Sequence, residues 1–213
     1  MDAGSEEGIH FPVRYNRRTQ FAEDKMRKTN VTLGHFRRLG LDLSGGTAEF
    51  VAEILGGSGG YEVREVVSLG MRLLQSTPGY ELPFVADRYR IYEIGDSEGH
   101  SQAEATLNIR IRGVAEPLHV AAPGNGPVCA LDMAARRALK GTYPGLEQLT
   151  LTDYTVKPAN GSSGADSPVR VHVEWELGEL VWATAAMSKS VTAGSWIAIS
   201  DAFEFALLTL GGG

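Results

Sequence analysis

Apolar residues along this chain follow two different periods, and the change falls near residue 80. Over 31–41, 47–55 and 63–74 they return every three or four positions, the spacing that lines one face of a helix. Ser44 and Thr47 are N-cap candidates between the first two stretches. Gly56, Gly57, Gly59 and Gly60 break the pattern before the third, and Pro78 with Gly79 closes it. Residues 1–80 are therefore predicted to form a basic arm and a small helical module. Beyond Tyr80 the period becomes two, as in Ala105, Leu107, Ile109 and Ile111 and again in Val169, Val171, Val173 and Trp175, which predicts half-buried strands.

The second half also repeats itself. Predicted strands over 88–94, 104–112 and 117–122 lead to a helix over 127–140. Strands over 151–157, 168–176 and 180–186 then lead to a helix over 191–208. An offset of 65 residues lays Tyr89 on Tyr154, and one of 64 lays Ala105, Leu107 and Ile109 on Val169, Val171 and Val173. The predicted fold class is α+β, with the helical module followed by a duplicated βββα domain over 81–213. Each unit leaves one sheet face and one helix stripe to bury (Val128, Leu131, Ala135, Ala138 and Leu139 in the first), and packing the two units together meets that need. Pseudo-symmetric bodies of this kind pair readily about a two-fold axis, so a homodimer is expected.

Composition narrows the functional classes. Apolar residues make up 43% of the chain and charged residues 22%, a balance that supports a packed core and excludes a disordered chain. A net charge of -6 argues against a chain-wide nucleic-acid surface. Within it, Arg14, Arg17, Arg18, Lys25, Arg27, Lys28, Arg37 and Arg38 form a local basic segment, either a solvated helical face or a dock for an acidic partner. The single cysteine, Cys129, excludes an internal disulfide framework and suits a reducing compartment. The start of the chain is polar and acidic, unlike a secretory leader, and no run approaches the roughly 18 apolar residues of a membrane span. The expectation is a cytoplasmic chain with no membrane and no nucleic acid among its partners.

Candidate chemistry is sparse. Pro123-Gly124-Asn125-Gly126-Pro127 joins a strand to a helix: Gly124 and Gly126 allow unusual backbone angles, Asn125 is a possible cap, and Pro127 suits a first helical turn. As turn chemistry this is ordinary, although N–H groups at such a helix start also hold carboxylates. The polar stretch 160–167 reads as a hairpin connection or as a lid. His10, His35, His100, His119 and His172 are scattered without metal-ligand spacing, so no metal and no cofactor are expected. No GxSxG elbow, Walker loop or dinucleotide fingerprint occurs. Cys129 is expected to be a small buried hydrophobe rather than a reactive thiol.

Gly124-Asn125-Gly126-Pro127-Val128 with Ala130-Leu131, Leu151-Thr152-Asp153-Tyr154 with Val156, and Ser188, Ser195-Trp196 and Asp201-Ala202, assigned to the last helix, resemble the C-terminal region of the acyl-CoA/2-keto acid condensing synthases. These are the citramalate, 2-isopropylmalate and homocitrate synthases, and the citramalate branch is the most similar. Arg27-Lys28-Thr29-Asn30-Val31, Leu39-Gly40-Leu41-Asp42-Leu43 and Gly60-Tyr61-Glu62 resemble the segment that follows the catalytic barrel in that family. The resemblance implies a doubled βββα regulatory domain that dimerises and binds leucine or isoleucine near its interface. It also implies a free-standing regulatory subunit that works on a separately encoded catalytic barrel, with the basic segment docking there. Carried over, the effector site takes Gly124, Asn125, Gly126, Pro127, Val128, Ala130, Tyr154, Gly164 and Ala165.

An alternative keeps the fold and makes the effector pocket the active site of a small-molecule enzyme. Tyr154, Asp153, His119 and His172 are then the titratable groups available for proton transfer, provided that they converge.

Overall fold

The computed structural model describes residues 66–76, 78–159 and 167–211. The two helices expected over 31–41 and 47–55, and the basic segment, lie outside those residues. The third predicted helix is α1, Val66–Gln75. The first βββα unit follows as β1 (Phe84–Gly95), β2 (Ser101–Ile111), β3 (Leu118–Gly124) and α2 (Pro127–Leu139). A 3-10 turn, Pro144–Gln148, leads into the second unit: β4 (Thr150–Pro158), β5 (Val169–Leu177), β6 (Leu180–Ser188) and α3 (Val191–Gly211). Each unit is an antiparallel meander with its second strand in the centre.

The duplication extends to irregularities. β1 carries a bulge between Ala86 and Arg88, and β4 carries one between Leu151 and Asp153, so the extra residues Asp87 and Thr152 stand 65 positions apart. This agrees with laying Tyr89 on Tyr154. The central strands differ from the expected offset: Tyr89 pairs with Leu107 and Tyr154 with Val173, which makes Val173, and not Val171, the counterpart of Leu107. Side chains two apart on a strand share a face, so a slip of two leaves the buried set unchanged and the sequence pattern cannot detect it.

Buried residues of the two units form one core. Ala105, Leu107 and Ile109 of β2 and Val171, Val173 and Trp175 of β5 are all fully buried. On α2 the inward stripe is rich in alanine (Ala130, Leu131, Ala134, Ala135, Ala138, Leu139), which lets the helix lie close on its sheet. Trp175 donates its Nε1–H to Thr184 Oγ1 at 2.9 Å and meets Phe203 edge-on, with ring centres 5.9 Å apart. Trp182 and Phe205 repeat that contact at 5.1 Å.

Against the expectation that no run approaches membrane-span length, α3 is long and apolar enough to cross a membrane by length and composition alone, yet more than half of that apolar stretch is buried in this body. It is buried on several sides because sheet two, α2 and α1 all pack against it. Ser190 caps its start by accepting the Ala193 N–H at 3.2 Å. Ser188, read from sequence as part of this helix, instead closes β6. α1 lies beside α3 and along β6, where Ser68 Oγ accepts the backbone N–H of Ala185 at 2.8 Å and satisfies a donor on that strand.

Candidate functional site

The strand-to-helix loop has a geometric reason for its glycines that differs from the expected one. Neither Gly124 nor Gly126 adopts a left-handed conformation. Gly126 is extended and is itself the N-cap of α2, with no side-chain cap bond, so Asn125 does not cap; Pro127 opens the helix as expected. Gly124 is required by proximity: a Cβ there would stand 2.7 Å from Ala130 Cα and 2.8 Å from the Cys129 carbonyl carbon. In the second unit the same crossing is made by Ser188 and Gly194, with the glycine moved from strand to helix, and a Cβ on Gly194 would stand 3.4 Å from Ser188 Cβ. Cys129, expected to be buried, is exposed on the outer side of the first turn of α2.

One face of α2 turns toward the second unit. Val128, Asp132 and Arg136 are spaced four apart and share that face. Arg136 donates Nε–H to Asp132 Oδ2 at 2.8 Å and Nη1–H to the carbonyls of Leu146 and Leu149 at 3.1 and 2.7 Å, which ties α2 to the entry of β4. Its guanidinium also lies 5.2 Å from the Phe203 ring of α3. The reciprocal contact is Trp196 of α3 on Tyr89 of β1, with ring centres 6.0 Å apart. Each helix thus reaches the first strand, or its entry, of the other unit, and the repeat that lays Trp196 on Asp132 lays Tyr89 on Tyr154. Asp132 Oδ1 is buried and has no hydrogen-bond partner among the described residues.

Tyr154 lies at the margin of the common core with Val128, both half-buried. Its hydroxyl shares a 2.8 Å hydrogen bond with Ser195 Oγ, and Ser195 in turn reaches the Val191 carbonyl at 2.7 Å. Of the expected effector residues, Gly124, Asn125, Gly126, Pro127, Val128 and Ala130 form one continuous segment at the start of α2, and Tyr154 belongs to the second unit. Gly164 and Ala165 lie outside the described residues. Sequence reading passed over Asp132 and named Ser195 only for the family resemblance, not as the partner of Tyr154; the signal for Asp132 was its four-residue spacing from Val128 and Arg136.

The four residues of the enzyme alternative are dispersed. Asp153 and Tyr154 are neighbours on β4 and so project to opposite faces: Tyr154 contacts α3, while Asp153 is exposed beside Thr155. His172 shares the Asp153 side of the sheet, with its ring 3.7 Å from Glu174. His119 is in the other sheet, exposed and hydrogen-bonded to Asn108.

A second polar cluster, on the far side of α3, joins that helix to α1. Arg72 donates from one guanidinium nitrogen to both Asp201 oxygens at 2.6 and 2.8 Å. Gln75 donates to one Glu204 oxygen at 2.7 Å and the Tyr80 hydroxyl to the other at 2.6 Å. Burial pushes Asp201 up to about 7 against the opposing pull of Arg72, and burial also raises Glu204 above the usual carboxylate range. The Tyr80 phenol is raised by burial and by its bond to Glu204. Tyr80 also lines an open cleft of about 360 Å³ with Arg112, Tyr143, Leu207 and Leu208. Among the described residues no group of three or more His, Cys, Asp or Glu side chains is arranged to hold a metal ion.

Two βββα units exchanging helix contacts across one core are the doubled regulatory body that the sequence resemblance implied. The family model for the LeuA allosteric (dimerisation) domain matches residues 82–207, and the chain belongs to that family. Its similar relatives include (R)-citramalate synthases from Streptomyces coelicolor (33% identical over 182 residues, 82% of this chain), Aquifex aeolicus (42% over 106 residues, 50% of this chain) and Geobacter sulfurreducens (39% over 105 residues, 49% of this chain). The chain spans 34, 20 and 20% of the length of those three proteins.

Proposed function

We propose that this chain is the regulatory and dimerising part of a citramalate-type synthase, acting on a catalytic barrel supplied by a separate chain and binding a branched-chain amino acid. The observation that carries the reading is the family match over the doubled βββα body. The proposed effector site lies between the start of α2 and β4. Backbone N–H groups after Pro127 serve the carboxylate, the unpartnered Asp132 Oδ1 serves the ammonium, and Val128, Ala130 and Tyr154 border the aliphatic side chain. The family resemblance also assigns Gly164 and Ala165 to the site. Regulation then follows from any difference in effector affinity between two arrangements of domain and barrel, and it can be no larger than that difference.

Thermal shift of the full chain against leucine, isoleucine, other amino acids, keto acids and acyl-CoAs tests the effector. A ligand at a hundred times its Kd adds about 2.7 kcal/mol, roughly 5–10 °C for a chain of this size. Asp132→Asn is expected to abolish that shift while the variant remains folded. No shift with any amino acid refutes the effector reading. Failure to form a complex with a citramalate-type barrel at micromolar concentration refutes the separate-subunit reading.

A further inference from the structure

α3 carries two carboxylates on one side, Asp201 and Glu204, that are 1 and 3% exposed. All four of their oxygens accept hydrogen bonds: Asp201 takes both from Arg72, while Glu204 takes one from Gln75 and one from Tyr80. Arg72 also donates to Gln75 Oε1 at 3.0 Å, which fixes the amide so that its NH2 points at Glu204. Ser68 accepts from Ala185 N–H and is thereby oriented to donate toward Asp201. Among the described residues the groups facing the pair are Ser68, Arg72 and Gln75 from α1 and Tyr80 from the following loop, with the Arg112 charge just after β2 acting on Tyr80. Among the described residues one cation, Arg72, contacts Asp201 directly, and its charge also acts on Glu204.

With both acids ionised, the described cluster carries one negative charge beyond the one that Arg72 offsets, which is costly away from water. We propose that α1 is a pH-gated clasp: the Asp201 and Glu204 pair holds one proton while α1 is docked, and loss of that proton weakens the hold of α1 on α3. These bonds join elements 129 and 124 residues apart in sequence and add to the burial of Val67 and Met71 in the core, so weakening them loosens α1 without touching the hydrogen bonds within either sheet. α1 is also the element through which the chain enters the described body, so the clasp governs how firmly that body is tied to what precedes it. This inference does not depend on the effector reading.

The sign follows from linkage. Docking raises Asp201 from an ordinary carboxylate value to about 7, so docking is favoured at low pH and weakens as the pH rises through 7. One proton over the interval from about pH 6 to about pH 8.5 gives roughly a tenfold loss of the docking constant.

Hydrogen exchange of the full chain, read on the peptide covering Val66–Gln75 and corrected for the intrinsic pH dependence of exchange, measures this directly. The wild type is expected to lose about tenfold protection in α1 over that interval while β2 and β5 stay protected. Asp201→Asn, or Glu204→Gln should the first variant fail to fold, is expected to flatten the slope. The proposal is overturned by a flat wild-type profile, by an equal slope in the folded variant, or by loss of β2 and β5 protection in parallel with α1.

Discussion

Gly124 is both a residue of the proposed effector site and the point where β3 and α2 come closest, and these roles separate experimentally. In Gly124→Ala the new methyl presses most closely on the Ala130 backbone nitrogen and stands 2.7 Å from Ala130 Cα and 2.8 Å from the Cys129 carbonyl carbon, and backbone has no rotamer with which to yield. Overpacking of that kind costs about 1–3 kcal/mol, offset by about 0.4–1 kcal/mol from a stiffer unfolded chain. Gly194→Ala places a methyl at the matching crossing of the second unit, where the neighbours are side-chain atoms, a Val171 methyl at 2.9 Å and Ser188 Cβ at 3.4 Å, and no backbone atom is as close. There, the gain of about 0.8–1 kcal/mol from replacing glycine inside a helix roughly balances the crowding. Gly124→Ala is therefore expected to lose about 1 kcal/mol relative to Gly194→Ala, read as a lower urea midpoint at unchanged slope. Wild-type stability for Gly124→Ala, or Gly194→Ala proving the weaker of the two, would refute the close-approach argument. Wild-type stability combined with lost effector response would assign Gly124 to binding alone.

Two further outcomes follow from the same geometry. Tyr154→Phe removes the bond to Ser195 and leaves the Ser195 link to Val191; a loss of about 1 kcal/mol in urea unfolding is expected, and a neutral variant would show that bond to be inconsequential. Cys129 is expected to react stoichiometrically with a thiol reagent in the folded protein, and protection until unfolding would contradict its exposed placement.

The alternation of Ala105 to Ile111 and of Val169 to Trp175 made the duplicated sheets readable, because period two is what a half-buried strand imposes. The same period concealed the true register, since moving Leu107 from Val171 to Val173 changes no side chain's face. Asp201 and Glu204 are two acids inside an otherwise apolar helix, and nothing local in the sequence announces Arg72 and Tyr80 as their partners, more than 120 residues away. The loop at Gly124 was legible as a strand-to-helix turn. Its glycine reads as conformational in sequence and proves to be steric in the fold, because the closeness of α2 depends on the alanines of its inner face. Asp132 was passed over because an acid four residues before an arginine reads as a surface helix pair, whereas here Arg136 spans into the second unit and leaves one Asp132 oxygen buried.

Sedimentation equilibrium of the purified chain at micromolar concentration tests the central claim most directly. A regulatory dimerisation domain predicts a species of twice the 22.9 kDa chain mass. A single species at the chain mass across that range would contradict it.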